Sequence, residues 1–289
     1  MPTLKDYNKK IASLRNMHKM TRTMKMVSAT KFRRALEAQV RLAPYAAQLQ
    51  HLLGCFADDA QAGVHPLCAV RQPVRRVLLV IVSSNRGLCG SFNHALHRLA
   101  DRWIEDNKDR YEALDAVSCS RKATAFLRGR VPLRASHEEL TASPTMAAAA
   151  RVADELMSWF LDGDYDEIHL AYNHFVNAMT RRPRLETLLP IADLPSENDG
   201  FVYVPYLFEP PAAPLRDMLF PRAVRFKMFS VLLEHAAGEH GARMTAMDSA
   251  TKNTERLMDE FTLLRNRARQ AGITRELIEI VTGAEALKG

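Results

Sequence analysis

The feature that most constrains this fold is a pair of long segments, one near each end of the chain, that contain almost no helix-breaking residues. Residues 3–56 contain no glycine before Gly54, and Pro44 is their only proline. A helix over this segment would be roughly 80 Å long at 1.5 Å per residue. An average globular helix has only ~11–12 residues, so such a helix needs another long element to lie against. Pro44 predicts a bend, because proline lacks the amide donor and crowds the preceding turn.

Both segments carry an apolar stripe at helical spacing. The first stripe comprises Leu4, Tyr7, Ile11, Leu14, Met17, Met20, Met24 and Val27. The second lies within residues 222–284, where steps of three and four alternate strictly: Met247, Ala250, Thr254, Leu257, Phe261, Leu264, Ala268 and Ala271. This alternation is the a/d pattern of a coiled coil, and Gly272 weakens the helix by about 1 kcal/mol relative to Ala. Two such helices at opposite ends of one chain predict an antiparallel coiled coil.

The middle of the chain alternates strand-like and helix-like sequence. Strands are predicted at residues 75–82, 113–119, 167–175 and 184–189, and helices at 92–107, 122–128 and 145–161. This alternation predicts an α/β layer with a mainly parallel sheet. The predicted fold class is therefore α plus α/β, a long antiparallel coiled coil with an inserted Rossmann-like α/β domain. We expect residues 1–57 and 215–289 to form the shaft, 58–74 a linker and 75–214 the α/β domain.

The composition excludes several classes of protein. With 47% hydrophobic and 25% charged residues, the chain is neither disordered nor collagen-like. No run approaches the ~20 apolar residues of a membrane-spanning helix, and the N-terminus has no apolar region typical of a signal peptide. The four cysteines have no C-x-x-C spacing and predict reduced thiols without zinc; they are Cys55, Cys68, Cys89 and Cys119.

The positive charge is concentrated at one end. The whole chain carries +7, whereas residues 1–41 contain eleven Lys/Arg and two acids, a net of +9, which leaves −2 for the rest. Such a segment should meet an acidic surface, a nucleic acid or a membrane headgroup layer. A basic coiled-coil protein that binds nucleic acid is therefore an alternative function, although the methionines threaded through this helix favour protein packing.

Catalytic motifs are weak. The turn at residues 83–91 follows a strand and opens a helix, where α/β folds bind phosphates, but its glycines fit neither G-x-G-x-x-G nor the P-loop pattern. His94 and His97 could hold two metal ligands, yet a third is not evident, and exposed helix histidines are the expected interpretation. We therefore expect no catalytic residue, no metal and no cofactor. An α/β enzyme using the Gly87–Gly90 loop is a third hypothesis.

Several sequence blocks resemble one family. In chain order these blocks are residues 11–16, 24–29, 31–35, 44–46, 65–67, 85–90, 206–210, 242–253, 266–274 and 276–284. They include Asn-Arg-Gly-Leu-Cys-Gly after the first strand and Ala-Arg-Met-Thr-Ala-Met-Asp-Ser-Ala-Thr-Lys-Asn in the last helix. Their order and spacing are those of the gamma subunits of F-type ATP synthases, so the chain is similar to that family over nearly its whole length.

The resemblance implies a rotor shaft. It implies an antiparallel coiled coil inside a hexamer of alternating alpha and beta subunits, with the α/β domain near the membrane. The shaft would turn with a ring of c subunits and couple ion flow to ATP synthesis or hydrolysis at alpha–beta interfaces, so this chain would be non-catalytic. The implied partners are the alpha, beta and epsilon subunits and the c ring. Membrane association would be indirect, on the cytoplasmic face of a bacterial inner membrane, and no nucleic acid would bind.

The resemblance also assigns contact residues. Met24 matches a methionine beside the beta-subunit lever loops. The other residues implied to contact the alpha/beta hexamer are Cys89, Arg243, Gln270, Thr274, Glu276 and Glu279. Tyr206 and Glu209 match the foot that rests on the c ring.

Four positions depart from the family pattern. Asn85 replaces the usual Asp, and His18 and Met20 replace the commoner Gln and Ile. Pro221 falls where the family continues its C-terminal helix, so we expect a kink or a later helix start there.

Overall fold

The computed structural model describes residues 3–54, 56, 65–177, 180–191, 209 and 211–286. Five α-helices and five strands are described in these ranges, with a short 3₁₀ turn at Pro66–Cys68. The helices are α1 (Leu4–Gly54), α2 (Phe92–Asn107), α3 (Arg121–Leu127), α4 (Met146–Leu161) and α5 (Ala212–Ala286). The strands are β1 (Arg76–Ile81), β2 (Ala113–Ser118), β3 (Leu133–Ser136), β4 (Glu167–Phe175) and β5 (Arg181–Leu189). No helix in the described ranges is long and apolar enough to cross a membrane.

The chain divides by its internal contacts into two units. Residues 1–28 and 243–289 form the coiled-coil unit, and residues 29–242 form the α/β unit. Helices α1 and α5 contribute to both. The shaft, linker and domain boundaries expected from the sequence remain predictions.

In the coiled-coil unit, the first part of α1 pairs with the last part of α5 in an antiparallel sense. Tyr7 faces Phe261 with ring centroids 6.3 Å apart. Further along α1, the Lys25 ammonium lies 2.5 Å from a carboxylate oxygen of Asp248. Residue numbers rise along α1 as they fall along α5, which confirms the antiparallel prediction.

The seam of α1 is not the stripe predicted from its apolar residues. Met17, Met20 and Val27 are 51%, 64% and 51% exposed, so this part of the prediction is wrong. Successive steps of three after Leu14 rotate those side chains away from the partner helix, because a seam needs alternating steps of three and four. The positions that keep this alternation instead carry polar side chains: His18, Thr21, Lys25 and Ser28.

The α/β unit is built on a five-stranded sheet in the order β3-β2-β1-β4-β5. Strand β1 pairs in parallel with β2 and β4, β2 pairs in parallel with β3, and β5 runs antiparallel to β4. A mainly parallel sheet is thus confirmed. Residues of β1 alternate between two cores: Leu78 and Val80 join one core cluster, and Leu79 and Ile81 join the other.

Different helices cover the two faces of this sheet. On one face the core includes Val152, Leu156 and Phe160 of α4, together with buried residues from the end of α1 and the start of α5. On the other face Leu96 of α2 and Leu127 of α3 are fully buried. The inserted Rossmann-like layer therefore forms its own core around a central parallel strand.

Two elements differ from the sequence predictions. Of the two outcomes expected at Pro221, a later helix start does not occur, since α5 begins at Ala212 and continues through Pro221, and a kink there remains a prediction. The sequence analysis also missed β3, a four-residue strand at the sheet edge whose side chains are mostly exposed. A short, solvated edge strand has neither an apolar run nor a regular alternation by which it could be predicted.

Candidate functional site

The turn after β1 is held by its own hydrogen bonds. The backbone N–H of Ser84 donates to Oδ1 of Asn93 at 3.0 Å, and the Ser84 hydroxyl donates to the carbonyl of Arg86 at 2.7 Å. The Asn93 amide also lies 3.5 Å from Sγ of Cys89. Gly90 has a φ of 60°, a conformation that glycine adopts without strain. These contacts fix the turn against the first turn of α2.

Helix α5 occupies the crevice where a doubly wound sheet would hold a ligand, next to the carboxyl ends of β1 and β4. Asn173 at the end of β4 is 1% exposed and donates to the carbonyl of Phe92 at 3.0 Å. The Phe92 ring lies 5.2 Å from the ring of His235 in α5. A Cβ on Gly238 would lie only 3.1 Å from Cε2 of Phe92. This close packing of α5 argues against the hypothesis of a nucleotide-binding enzyme that uses the Gly87–Gly90 loop.

Asn85 ties the same turn to the rest of the sheet edge. Its Nδ2 donates to the carbonyl of Glu138 at 2.7 Å, and its Oδ1 accepts from the backbone N–H of Arg121 at 2.8 Å. The amide thus bridges the loop after β3 and the first turn of α3. An aspartate would lose the donor, so asparagine at this position has a structural reason.

The two helix histidines have different environments. His94 is exposed as expected, whereas His97 is half-buried and stacks on Phe126 with ring centroids 4.5 Å apart. Burial, with the nearby positive charge of Arg130, lowers the pKa of His97 to about 4. Within the described ranges, no group of three or more His, Cys, Asp or Glu residues could hold a metal ion.

Two of the described cysteines, Cys68 and Cys119, are poor nucleophiles. Cys68, Cys89 and Cys119 are free thiols, and Cys55 lies outside the described residues. Burial raises the pKa of Cys68 to about 11 and that of Cys119 to about 12. Since the thiolate is the reactive form, these side chains are suited to packing.

The outstanding surface feature is an apolar face near the end of α5. Its large aliphatic side chains are all more than half exposed: Ile273 51%, Leu277 56%, Ile278 58%, Ile280 67% and Val281 55%. Most of them recur at steps of three and four and so lie on one face of the helix. We call these five residues the terminal apolar face. Exposed apolar patches of this kind are typical of interaction surfaces.

Comparisons with known proteins identify relatives of this chain. A family model described as ATP synthase matches residues 3–287. The ATP synthase gamma chain of Geobacter sp. strain M21 is 43% identical over all of both chains. That of Anaeromyxobacter sp. strain Fw109-5 is 41% identical, again over all of both chains.

This chain belongs to the ATP synthase gamma family.

Solved structures show the same fold. A chain of the Tetrahymena thermophila mitochondrial ATP synthase central stalk and c ring superposes with a TM-score of 0.59 at 23% identity, covering 80% of this chain and 99% of that chain. A chain of the Euglena gracilis mitochondrial ATP synthase reaches a TM-score of 0.64 at 17% identity, covering 98% and 94%. The predicted fold class is confirmed.

Membership in the gamma family gives the chain its function. It is the central rotor shaft of ATP synthase, a non-catalytic subunit that couples ion flow to ATP synthesis or hydrolysis at sites on other subunits. The predictions of a rotor role and of a non-enzymatic chain are confirmed, and the nucleic-acid alternative has no support among the relatives.

The structure places the predicted contact residues in different environments. Met24 is partly buried on α1, whereas Arg243 and Cys89 are only 8% and 3% exposed. The others on α5 are exposed: Gln270, Thr274, Glu276 and Glu279. Glu209 is exposed, and Tyr206 lies outside the described residues. The motif comparison did not single out the terminal apolar face, although the spacing of its aliphatic residues was readable from the sequence.

Proposed function

We propose that the terminal apolar face of this gamma-family shaft is held in a bearing formed by the alpha and beta subunits. The observation that carries the proposal is the exposure of five large aliphatic side chains on a helix that is otherwise rich in charge. Leaving apolar surface in water costs roughly 25 cal/mol per Å², so a surrounding protein ring would stabilise this end of α5. Exposed Glu276 and Glu279 lie among these residues and would contact the same ring.

The remaining hexamer contacts are proposed for the coiled-coil unit. Met24 would lie beside the beta-subunit lever loops. Gln270 and Thr274 would engage the surrounding catch region, which Arg243 would reach only through its 8% exposed surface. The net charge of +9 over residues 1–41 supports this assignment, because a basic surface complements acidic loops on a partner and speeds association.

The proposed membrane-side contacts belong to the α/β unit and its neighbours. Tyr206 and Glu209 would rest on the c ring, with the epsilon subunit beside them. The Cys89 turn would face the lower ends of the beta subunits. Since Cys89 itself is 3% exposed and Leu88 is 62% exposed, Leu88 would make the contact while Cys89 holds the turn in place.

The proposed mechanism is differential contact. An asymmetric shaft presents a different surface to each of three catalytic sites, so each orientation stabilises a different site conformation. The chain would act as a peripheral subunit on the cytoplasmic face of a bacterial inner membrane, attached through the c ring.

Co-expression with the alpha and beta subunits of the same genome tests the proposal. We expect a large assembly with ATPase activity that contains this chain in substoichiometric amount, and loss of that activity when residues 243–289 are deleted. A chain that elutes alone, with neither subunit retained, would contradict the proposal.

A sharper test replaces Ile273, Leu277 and Ile280 by Ser. We expect the amount of alpha and beta subunits retained by this chain to fall about tenfold or more, because the substitutions remove apolar area that the contact would bury. The matched control replaces three exposed polar residues of the same helix by Ser and should retain the partners: Arg269, Arg275 and Thr282. Equal loss in both variants would mean that the terminal apolar face is not the contact.

A further inference from the structure

On the α1 side, the seam of the coiled-coil unit carries polar residues where apolar ones are expected, and each of them contacts a residue of α5 that follows a predicted seam position by one. Nε2 of His18 lies 2.8 Å from a carboxylate oxygen of Glu255. The Thr21 hydroxyl donates to the carbonyl of His18 and accepts from the hydroxyl of Thr251 at 2.8 Å. The ammonium of Lys25 lies 2.5 Å from Asp248. We call these three cross-helix pairs the polar layers.

The polar layers are partly enclosed. Thr21 is 8% exposed, and the neighbouring seam residues Ser28 and Thr254 are each 3% exposed. Beyond them, Ile11 of α1 is 4% exposed and Met247 of α5 is 5% exposed, so apolar packing borders the polar run. The charged pairs are more open, with side-chain exposures of 20% and 55% for His18 and Glu255 and of 44% and 30% for Lys25 and Asp248. Apolar residues at these α1 positions would bury more hydrophobic surface against α5.

Polar seam residues differ from apolar ones in how they respond to sliding. A leucine still packs against another leucine after the helices slip. A polar side chain keeps its hydrogen bonding after a slip only if the new residue opposite it is also a suitable donor or acceptor. A slip of one heptad that moves Lys25 opposite Glu255 would place Thr262 opposite His18 and Met258 opposite Thr21. A half-heptad slip would bring Lys25 beside Lys252, which are like charges. Neither slip preserves all three pairs.

We propose that the polar layers act as a register lock, which fixes α1 against α5 and prevents the two helices from sliding past each other. His18, Thr21 and Lys25 are the lock residues of α1, and Glu255, Thr251 and Asp248 are those of α5. A second contact holds the lock in place, since Nζ of Lys252 lies 2.9 Å from the other carboxylate oxygen of Asp248. The polar residues make the seam less stable than an apolar one would be, but they permit only one alignment of the two helices. A helix pair that transmits torque requires a single alignment.

Spin-label distances measure this register directly. In a full-length chain whose four cysteines are replaced by Ala, Lys9→Cys and Ser249→Cys place labels on exposed positions of α1 and α5. The labels are offset along the seam, so a slip of one heptad changes their separation by about 10 Å and half a heptad by about 5 Å. We expect one narrow distance distribution for this labelled chain.

The lock variant replaces four lock residues by Leu: Thr21, Lys25, Asp248 and Thr251. We expect it to remain helical by circular dichroism and to show a second distance in roughly a tenth or more of the molecules, because the registers become close in energy. The matched control replaces four exposed polar residues of the same helices by Leu and should keep one distance: Lys19, Thr23, Asn253 and Asp259.

A folded lock variant with one unshifted distance would overturn the proposal. If the lock variant does not fold, the smaller variant Lys25→Leu/Asp248→Leu decides in the same way, since it leaves the threonine layer intact. The measurement needs no partner subunit, so its outcome is independent of the proposed hexamer contacts.

Discussion

Asn85 shows how a single side chain connects three segments of the α/β unit. Its amide donates to the Glu138 carbonyl, and its oxygen accepts from the N–H of Arg121. A buried or half-buried polar group that loses its partner costs about 1–3 kcal/mol. Compared with an aspartate, asparagine therefore makes one additional hydrogen bond here, through the Nδ2 donor.

We expect Asn85→Leu to lower the free energy of unfolding by about 1–3 kcal/mol. Asn85→Asp should cost less, since it keeps the acceptor for Arg121 but loses the donor for Glu138. Urea unfolding measures both, with Asn253→Leu on exposed α5 as the control. Equal costs at positions 85 and 253 would show that the bridge contributes nothing.

Protonation of His97 makes the free energy of unfolding depend on pH in the acidic range. Its pKa in the folded protein is about 4, below the ordinary value of about 6.5. The unfolded chain therefore binds more protons between these values, and the stability present at pH 7 falls as the pH drops below 6.5. Because the ring is partly open to solvent, which screens the charge, we expect a loss of about 1 kcal/mol at pH 5.

Replacing His97 by Phe keeps the stack on Phe126 and removes the titrating group. Urea unfolding at pH 7 and pH 5 should show a smaller loss for this variant than for the parent chain. His94→Phe, on the exposed side of α2, should retain the parental loss. An unchanged loss in the His97 variant would assign the pH dependence to other groups.

At the scale of elements, two of the four glycines of α5 have opposite environments. A Cβ at Gly272 would meet nothing within 4 Å, whereas one at Gly238 would lie 3.1 Å from the Phe92 ring. That ring is 5% exposed and packs with Cys89 and Ala242. It has little room to move, so the close approach of α5 to Phe92 requires glycine.

We therefore expect Gly272→Ala to stabilise the local helix by up to about 1 kcal/mol and Gly238→Ala to destabilise the chain by about 1–3 kcal/mol. Hydrogen exchange across α5 reports the first change, and urea unfolding reports the second. A stabilising Gly238→Ala would mean that Phe92 yields easily and that its packing does not position α5.

At the scale of the whole molecule, charge is segregated along the sequence. Residues 1–41 carry a net +9 and the other residues −2. If this segment meets acidic partner loops, its charge should speed association at low salt and lose that effect as salt is added. The salt dependence of assembly therefore reports on the basic surface independently of the apolar bearing.

Charge reversal tests this with two variants of equal net charge, each six charges more negative than the parent chain. Reversing three exposed residues of α1 to Glu should slow assembly with alpha and beta subunits about tenfold or more at low salt: Lys9, Arg15 and Arg22. The control reverses three exposed residues of the α/β unit to Glu and should assemble at nearly the parental rate: Arg98, Arg102 and Arg128. Equal slowing in both would indicate a general effect of net charge.

The sequence by itself determined the elements whose causes are local. Long segments with few helix-breaking residues predicted α1 and α5, and the apolar run at residues 77–82 predicted the central strand. The alternation of strands and helices gave a mainly parallel sheet, and the motif blocks gave the family. Each of these features depends on neighbouring residues or on blocks of fixed spacing, which are readable without a partner element.

The tertiary structure decided what depends on a second element. The seam of α1 passes through His18, Thr21 and Lys25 because α5 supplies Glu255, Thr251 and Asp248 opposite them, which hydrophobicity could not reveal. Edge strand β3 forms because β2 offers it a partner. Helix α5 closes the crevice beside the Phe92 ring. The sequence did not predict this, because a crevice holds either a ligand or a packed helix according to residues that are far apart in the chain.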